Sequence, residues 1–544
     1  MSEGTRPVYL REGVANFNPP PIWEEASAGG GKSLQQYWES GRLQEIYAES
    51  LLWTGFERLV AQASTSGVDL SRVTTINVAI SYTHELGQTT EDAVAEDFTR
   101  RLSDSPHRQL FRRFPKIRCT PTHAASSHGI VPLNDAVADV LERGEEMSIA
   151  VTGGNTKGTN RNRARITPAE TTDIFASLVS PYDRKVAKAN MLKLGAAALG
   201  RAYQHDLDLI KALDRFVYEQ RLFTNQLARR KLSTAHVTTH PDEIDDRTIY
   251  YPLKLIGVAP QSLGYAGVVF STQPPPSAKA VRVVGIGCGV DPSSIRDRKS
   301  HLFARAMEES VSTAMSQARI PDLSSLKVLE PHNPFPAVPL TEWEIVLESL
   351  GYQGTVTQAL LRSDIGVNGK LVKVGRSGGA LAGHAIAPTT VRLTFEAAKQ
   401  LLGVGGYPEL ELGPEKVAYA GTSGVGGHHT FDGFVILAGG KAEEIAKVAT
   451  QIIPFDHEHY NAVAERDLEG QKALAGAKVP DGMTVGLVSY QETKSGRDYF
   501  GIARAPDGRD FPFMATPTFF ERLLQTAYIG TPIRLSPTLQ VIEA

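Results

Sequence analysis

The sequence predicts a duplicated α/β fold, and three observations carry that prediction. An amphipathic helix closed by glycine and followed by a buried strand ending in Gly-Gly occurs twice, about 250 residues apart. Further strand signals at 266–271 and 281–286 lie between the two copies. At 544 residues the chain also exceeds one ordinary core, so two to four domains are expected. In the first copy, a helix over 130–143 carries Leu133, Ala136, Val137, Val140 and Leu141 on one face, with Gly144 as its stop. A strand over 148–152 then ends in Gly153-Gly154. In the second, Val391, Phe395, Ala398 and Leu402 form the stripe of a helix over 390–402 stopped by Gly403. The strand 434–438 before Gly439-Gly440 completes it. The copies share pattern rather than residue identity.

Around this frame the remaining elements follow in order. Residues 8–10 open with a strand, and 18–32 are polar and rich in proline and glycine. Ile46, Leu51, Leu52, Phe56, Leu59 and Val60 predict a helix over 43–63, and β-branched alternation predicts a strand over 75–81. Residues 157–230 read as a helical insert. Its Lys157, Arg161, Arg163, Arg165, Arg184, Lys185 and Lys188 suit either a phosphate-bearing ligand or a solvated helical surface. Near residue 450 the character changes. Short strands are predicted over 483–491, 498–505 and 510–514, with Asp507-Gly508 as a hairpin turn. A helix over 519–524 and a closing strand over 533–542 make this a small β-barrel candidate. The expected division is 1–272 for the first half, including the insert at about 155–250, then 273–448 and an appended 449–544.

Composition narrows the function. Hydrophobic content of 41%, charged content of 22% and a net charge of −3 give no sign of nucleic-acid or membrane attraction. The first 18 residues lack the features of a secretory signal, and no apolar run is long enough to cross a bilayer. Two cysteines, Cys119 and Cys288, form no disulfide framework and no zinc-ligand spacing, which points to a reducing cytoplasm.

The chemistry-bearing motifs are few. Val374-Gly-Arg-Ser-Gly-Gly-Ala-Leu-Ala-Gly-His384 sets Gly375, Gly378, Gly379 and Gly383 around one histidine just before a helix. Glycine lets backbone approach backbone or ligand where a Cβ would clash. Glu330-Pro-His-Asn-Pro-Phe335 lies about fifty residues upstream and offers His332 and Asn333, as donors or as a polar turn. Ser262-Leu-Gly-Tyr-Ala-Gly267 reads first as core packing. Ala125-Ser-Ser-His-Gly129 precedes the first helix, where serine ordinarily caps or lines a pocket. Ala420-Gly-Thr-Ser-Gly-Val-Gly-Gly427 is followed by His428-His429. Adjacent histidines diverge in direction and no carboxylate cluster supports them, so no metal is expected.

Taken in order, these motifs resemble those of the thiolase superfamily, most of all the bacterial thiolase-like proteins of type 1. His384 matches the end of the family's N-x-x-G-G-x-x-x-x-G-H loop, and Pro-His-Asn-Pro-Phe is similar to its N-E-A-F or H-D-C-F motif. The resemblance implies a five-layered αβαβα core with a helical loop domain, plus a small OB-like C-terminal domain. It implies that His384 donates to a thioester or enolate oxygen, with Asn333 and His332 beside it. It also implies a coenzyme A thioester as ligand, with Ser262, Gly264, Gly379, Gly383 and Arg163 as candidate contacts, and no covalently bound cofactor. The family's C-x-x-G cysteine is missing: Ser126 takes its place if Gly129 matches the motif glycine, and counting back from Gly153 gives Ser127. A hydroxyl is far less acidic than a thiol, so a base such as His123 or His128 would have to activate it. The second cysteine is missing too, with Ser423 or Thr422 nearest to it. Two functions remain open: an acyl-CoA-dependent acyltransferase working without that cysteine, and a non-catalytic acyl-CoA-binding or interaction protein. Monomer and homodimer are equally open, with neither nucleic acid nor membrane insertion expected.

Overall fold

The first run of elements is β1 (Val8–Asn16), α1 (Ala48–Thr65), β2 (Val73–Ile80), α2 (Glu91–Asp104), β3 (Lys116–Arg118), α3 (Ile130–Leu141) and β4 (Met147–Asn155). It continues through α4 (Leu207–Arg229) and the short pair β5 (Thr248–Tyr250) and β6 (Leu253–Lys254) to β7 (Leu263–Ser271). The second run is β8 (Lys279–Val290), α5 (Arg305–Ala318), β9 (Leu326–Glu330), β10 (Asp364–Val367), β11 (Lys370–Val374) and α6 (Ala387–Leu402). β12 (Val417–Gly426), β13 (Phe431–Lys441) and the single turn α7 (Ala442–Ile445) complete it. The computed structural model describes residues 7–17, 47–81, 90–120, 129–155, 193–196, 207–229, 248–260, 262–298, 304–320, 325–336, 338, 364–367, 370–410, 416–427, 429–453, 455–458, 462, 479–493, 496–519, 531–536 and 540–543.

Strand pairing shows the duplication that residue identity hides. The first half is ordered β1-β7-β4-β2-β3, with two antiparallel pairings followed by two parallel ones. The second half, β8-β13-β12-β9-β11, repeats that polarity strand for strand and adds β10 at its edge. The two halves join where Val8 lies opposite Val283 and Leu10 opposite Val281. α1 covers the outside of the first sheet and α5 the outside of the second. Between the sheets lie α3 and α6, with α6 touching β12, β13 and β9 on one side and β7, β4 and β1 on the other. Five layers result.

This placement is the expected five-layered one, and it buries the central helices beyond the single apolar stripe marked on each. From Ile130 to Val140 every residue of α3 is buried, and along α6 only Phe395, Lys399 and Leu402 are not. Phe395 and Leu402, expected on the core stripe, are thus among the more exposed. A helix between two sheets has no solvent face to leave polar. α6 also starts three residues earlier than predicted, with Pro388 in its first turn, and stops at Gly403 in the left-handed region (φ 67°). α1 begins at Ala48 after an extended Tyr47, and residues 43–46 of the predicted helix lie outside the described residues.

The C-terminal residues form β14 (Met483–Thr493), β15 (Gly496–Arg504), β16 (Asp510–Ala515), β17 (Pro532–Leu535) and β18 (Val541–Glu543). They make an antiparallel sheet ordered β16-β15-β14-β17-β18. A bridge between Met514 and Gln540 brings its two ends together, so the sheet curls into a small barrel-like body. The predicted turn is present, with Gly508 at φ 86° and the Arg509 N–H donating to Asp507 Oδ1 at 3.1 Å. The single closing strand over 533–542 is instead two antiparallel strands, since Pro537 has no N–H to continue a ladder. Residues 517–519 are helical, and the rest of the helix expected over 519–524 lies outside the described residues. Among the described residues no helix is long and apolar enough to cross a membrane.

Candidate active site

The site forms where loops from the second sheet meet the start of α6. β9 ends in Glu330, fully buried, whose carboxylate accepts from Ser377 N (3.0 Å), Ser377 Oγ (2.5 Å) and Gln400 Nε2 (2.6 Å). That clamp ties the β9 loop to both the glycine loop and α6, and burial holds the carboxyl above its ordinary range. Pro331 then delivers His332 and Asn333.

His332 is completely buried, and two bonds fix it. Its backbone N–H donates to Ser423 Oγ at 2.8 Å, and its Nδ1 accepts from Val425 N at 3.1 Å. A ring nitrogen that accepts from an amide carries no proton, so the neutral imidazole bears its hydrogen on Nε2. Nε2 has no hydrogen-bond partner among the described residues. Asn333 repeats the pattern: Oδ1 accepts from Leu381 N at 3.4 Å, while buried Nδ2 has no partner among the described residues. Buried donors are almost always satisfied, so two orphans on successive residues mark a place where something else accepts.

His384 completes the group. Its ring stands edge-on to His332, with centroids 5.1 Å apart, and its Nδ1 lies 3.1 Å from Thr389 Oγ1. The His384 N–H is shared between Pro260 O and Ser262 Oγ, both at 3.2 Å. Burial first, and then the charge of Arg392, lowers the His384 pKa to about 3, and His332 is lowered well below its usual value by burial first and then by the proximity of His384, His429 and Arg392. Both rings are therefore neutral hydrogen-bond groups at physiological pH.

Backbone close packing holds the glycine loop in place. A Cβ on Gly379 (φ 56°) would fall 1.9 Å from Asn333 Oδ1, so glycine lets the loop close over that side chain. Ile386, a β-branched residue at φ 66°, is strained. Ser81 of the first half braces it from both sides: its Oγ donates to Ala385 O at 2.6 Å and accepts from Ala387 N at 3.2 Å. Behind the loop, Arg221 of α4 donates to Ile256 O (2.7 Å), Val258 O (2.8 Å) and Leu381 O (3.3 Å).

No protein-family model matches this sequence, and no curated protein does. Solved structures do match. A monomeric SCP2-thiolase-like protein type 1 from Mycobacterium smegmatis aligns over 99% of this chain and 100% of its own, at TM-score 0.60 and 13% identity. An acetyl-CoA acetyltransferase from Syntrophomonas wolfei covers 80% of this chain and 99% of its own, at TM-score 0.53 and 12% identity. The dimeric peroxisomal thiolase of Saccharomyces cerevisiae covers 79% and 97%, at TM-score 0.50 and 12% identity. The chain has the thiolase fold.

Within the thiolase fold, the sequence-predicted residues separate clearly. His384, His332, Asn333 and Ser423 converge, as do Gly379 and Gly383 of the loop. Thr422 turns instead to Thr394 of α6, at 3.2 Å. Ser262 supports the His384 backbone, and Gly264 makes room for Phe17 and the Asn16 carbonyl. Ser126, Ser127, His123, His128 and Arg163 lie outside the described residues. So does His428. Gly129 stands against the Ala387 carbonyl, which brings the start of α3 to the start of α6. Neither cysteine is poised to ionise. Burial, helped by nearby carboxylates, pushes both thiols far above the ordinary range. Among the described residues no histidine, cysteine and carboxylate cluster could hold a metal ion.

Sequence reasoning missed a polar stripe on α6. Arg392, Glu396 and Gln400 are all buried there, at spacing four. Arg392 packs over the Phe17 ring at 5.1 Å and donates to the Gly379 carbonyl, while Glu396 accepts from Tyr407 Oη at 2.7 Å and Lys399 Nζ at 3.0 Å. Three long polar residues at i, i+4 and i+8 along one line of the predicted helix were the available signal.

Proposed function

We propose that this chain is a thiolase-like acyltransferase that takes a coenzyme A thioester and performs Claisen or retro-Claisen chemistry without a cysteine nucleophile. The observation that carries the reading is the pair of orphaned buried donors, His332 Nε2 and Asn333 Nδ2, beside His384. Donors held rigidly in a water-poor site stabilise negative charge on a thioester oxygen as it develops, and they need no reorganisation to do so. The similar structures include an acetyl-CoA acetyltransferase and a peroxisomal thiolase, which supports the same ligand class. Gly379, Gly383 and Ser262, beside these donors, are the contacts that the reading gives to that thioester. The cysteine-free sequence around Ser126 and Ser423 favours a second reading, in which the pocket binds acyl-CoA without turning it over.

Thermal unfolding with CoA, acetyl-CoA and longer acyl- and acetoacyl-CoAs, followed by thiol release, tests both. A ligand that binds the folded state alone stabilises it by about 2.7 kcal/mol at 100 times its Kd. Stabilisation with thiol release supports the acyltransferase, and stabilisation without release supports the binding protein. No stabilisation by any thioester overturns both.

A further inference from the structure

We propose that His429, held by Asp432, is the base that removes a proton from the carbon next to the thioester carbonyl, a step for which this chain has no available thiol. The inference rests on the thioester reading above and adds the group that moves the proton.

His429 lies in the connection between β12 and β13, is 2% exposed and sits at φ 58°. That left-handed conformation is costly for a residue with a side chain, and such strain persists where the surroundings enforce it. Here the partner is Asp432, itself fully buried, whose Oδ2 lies 2.7 Å from His429 Nδ1. A carboxylate oxygen accepts, so Nδ1 carries the shared hydrogen and Nε2 becomes the basic nitrogen. A carboxylate that fixes the tautomer and supports the imidazolium is the arrangement that makes histidine an effective base.

The dyad and the donors are built into one hairpin. Asp432 faces Val425 across the β12–β13 ladder, and the Val425 N–H is the group that holds His332 Nδ1. His429 is near enough to His332 for a proton gained by one ring to be felt by the other, and the His332 ring is in turn packed against His384. Base, oxyanion donor and second histidine are thus linked residue to residue through Val425 and His332. Among the described residues, Asp291 also faces His429, with Arg298 beyond it. Asp291 accepts from Arg305 N at 3.1 Å at the start of α5.

The step balances without a further reagent. Nε2 takes one α-hydrogen as a proton, and the C–H electron pair moves into the adjacent carbonyl to give an enolate. The enolate oxygen is received by His332 Nε2–H and Asn333 Nδ2–H. The carbon then either takes a proton back from the imidazolium or attacks an acceptor carbonyl.

In D2O the return proton is deuterium, so the step is visible without any acceptor substrate. The test is the loss of the acetyl methyl signal of acetyl-CoA by proton NMR, with thermal stabilisation by acetyl-CoA measured on the same samples. Wild-type protein is expected to exchange the methyl hydrogens. In His429→Asn, chosen because asparagine tolerates the left-handed backbone, exchange should fall by about 10²–10⁴-fold while stabilisation by the thioester persists. Asp432→Asn keeps the shape but inverts the tautomer, and should lose exchange as well. Stabilisation with full exchange in both variants overturns the base assignment. So does wild-type protein that binds acetyl-CoA without exchanging it, and in that case the ligand reading stands. Absence of stabilisation in wild type by every thioester overturns the ligand reading, and this inference with it.

Discussion

At the scale of single residues, the site is organised by what it leaves unsatisfied. The side chains of His332 and Asn333 have one partner each and keep a second, buried polar atom unmatched. A buried donor without an acceptor costs about 1–3 kcal/mol. Asn333→Leu removes the unmatched Nδ2 but also leaves Leu381 N without its acceptor, so stability should change by no more than about 1 kcal/mol in denaturant unfolding while thioester turnover falls by about 10²-fold. A much larger loss of stability in that variant would show that Nδ2 already has a partner. The histidines carry a second expectation. The His384 pKa is held at about 3 against the ordinary 6.5, by burial first and then by Arg392. Between those values the unfolded chain binds a proton that the folded chain refuses, so stability rises with pH through the window and is lost as pH falls below 6.5. Replacing the ring in His384→Gln should flatten that slope in unfolding midpoints between about pH 4 and about pH 7. Equal slopes in the two proteins would mean the ring is protonated in the fold.

At the scale of elements, close approach of backbones sets the architecture. On β8, Gly285, Gly287 and Gly289 alternate along one face, and a Cβ on each would lie 2.1, 2.0 and 2.1 Å from the carbonyls of Ala314, Ser310 and Ala306 in α5. The helix lies directly on the strand. Gly287→Ala should cost about 3 kcal/mol, because the atom it meets is backbone and cannot rotate away. Ile286→Val on the same strand should cost about 1 kcal/mol, and equal costs would show that α5 shifts freely. Such contacts also explain what could be read in advance. Helix stops at Gly144 and Gly403 and the two Gly-Gly strand ends were legible, because turn and period chemistry act locally. The His384 and His332 loops were legible as motifs. The braces that aim them were not, because Ser81, Arg221 and Glu330 lie far apart in sequence and meet only when strands pair. Nor could periodicity show that α3 and α6 are buried on both sides. An apolar stripe identifies one packed face and says nothing about a second sheet.

At the scale of the whole molecule, the C-terminal sheet is coupled to the second half by its packing. Along β15 the side chains divide: Phe500 and Ile502 join the core that contains Phe216, Leu253, Val311 and Phe434, whereas Tyr499 packs with Phe511, Phe513 and Ile533 inside the small sheet. Period-two alternation lets one strand serve two cores. Arg296 adds a cation–π contact, 5.6 Å from the Phe511 ring. Because the shared core also holds Leu329 and Val374, the residues that lead into the His332 and glycine loops, melting the C-terminal sheet should loosen the site. Calorimetry of the wild-type chain should accordingly show the second half and the C-terminal sheet unfolding together, in one cooperative transition. Phe500→Ala removes the shared anchor and should cost about 3–5 kcal/mol. It should also release the C-terminal sheet as a separate, earlier transition. Phe513→Ala weakens only the small core and should lower the midpoint of the sheet without separating it. Two independent transitions already present in wild type would show that Phe500 and Ile502 touch the main core without coupling to it. The site would then stand on the two duplicated halves alone.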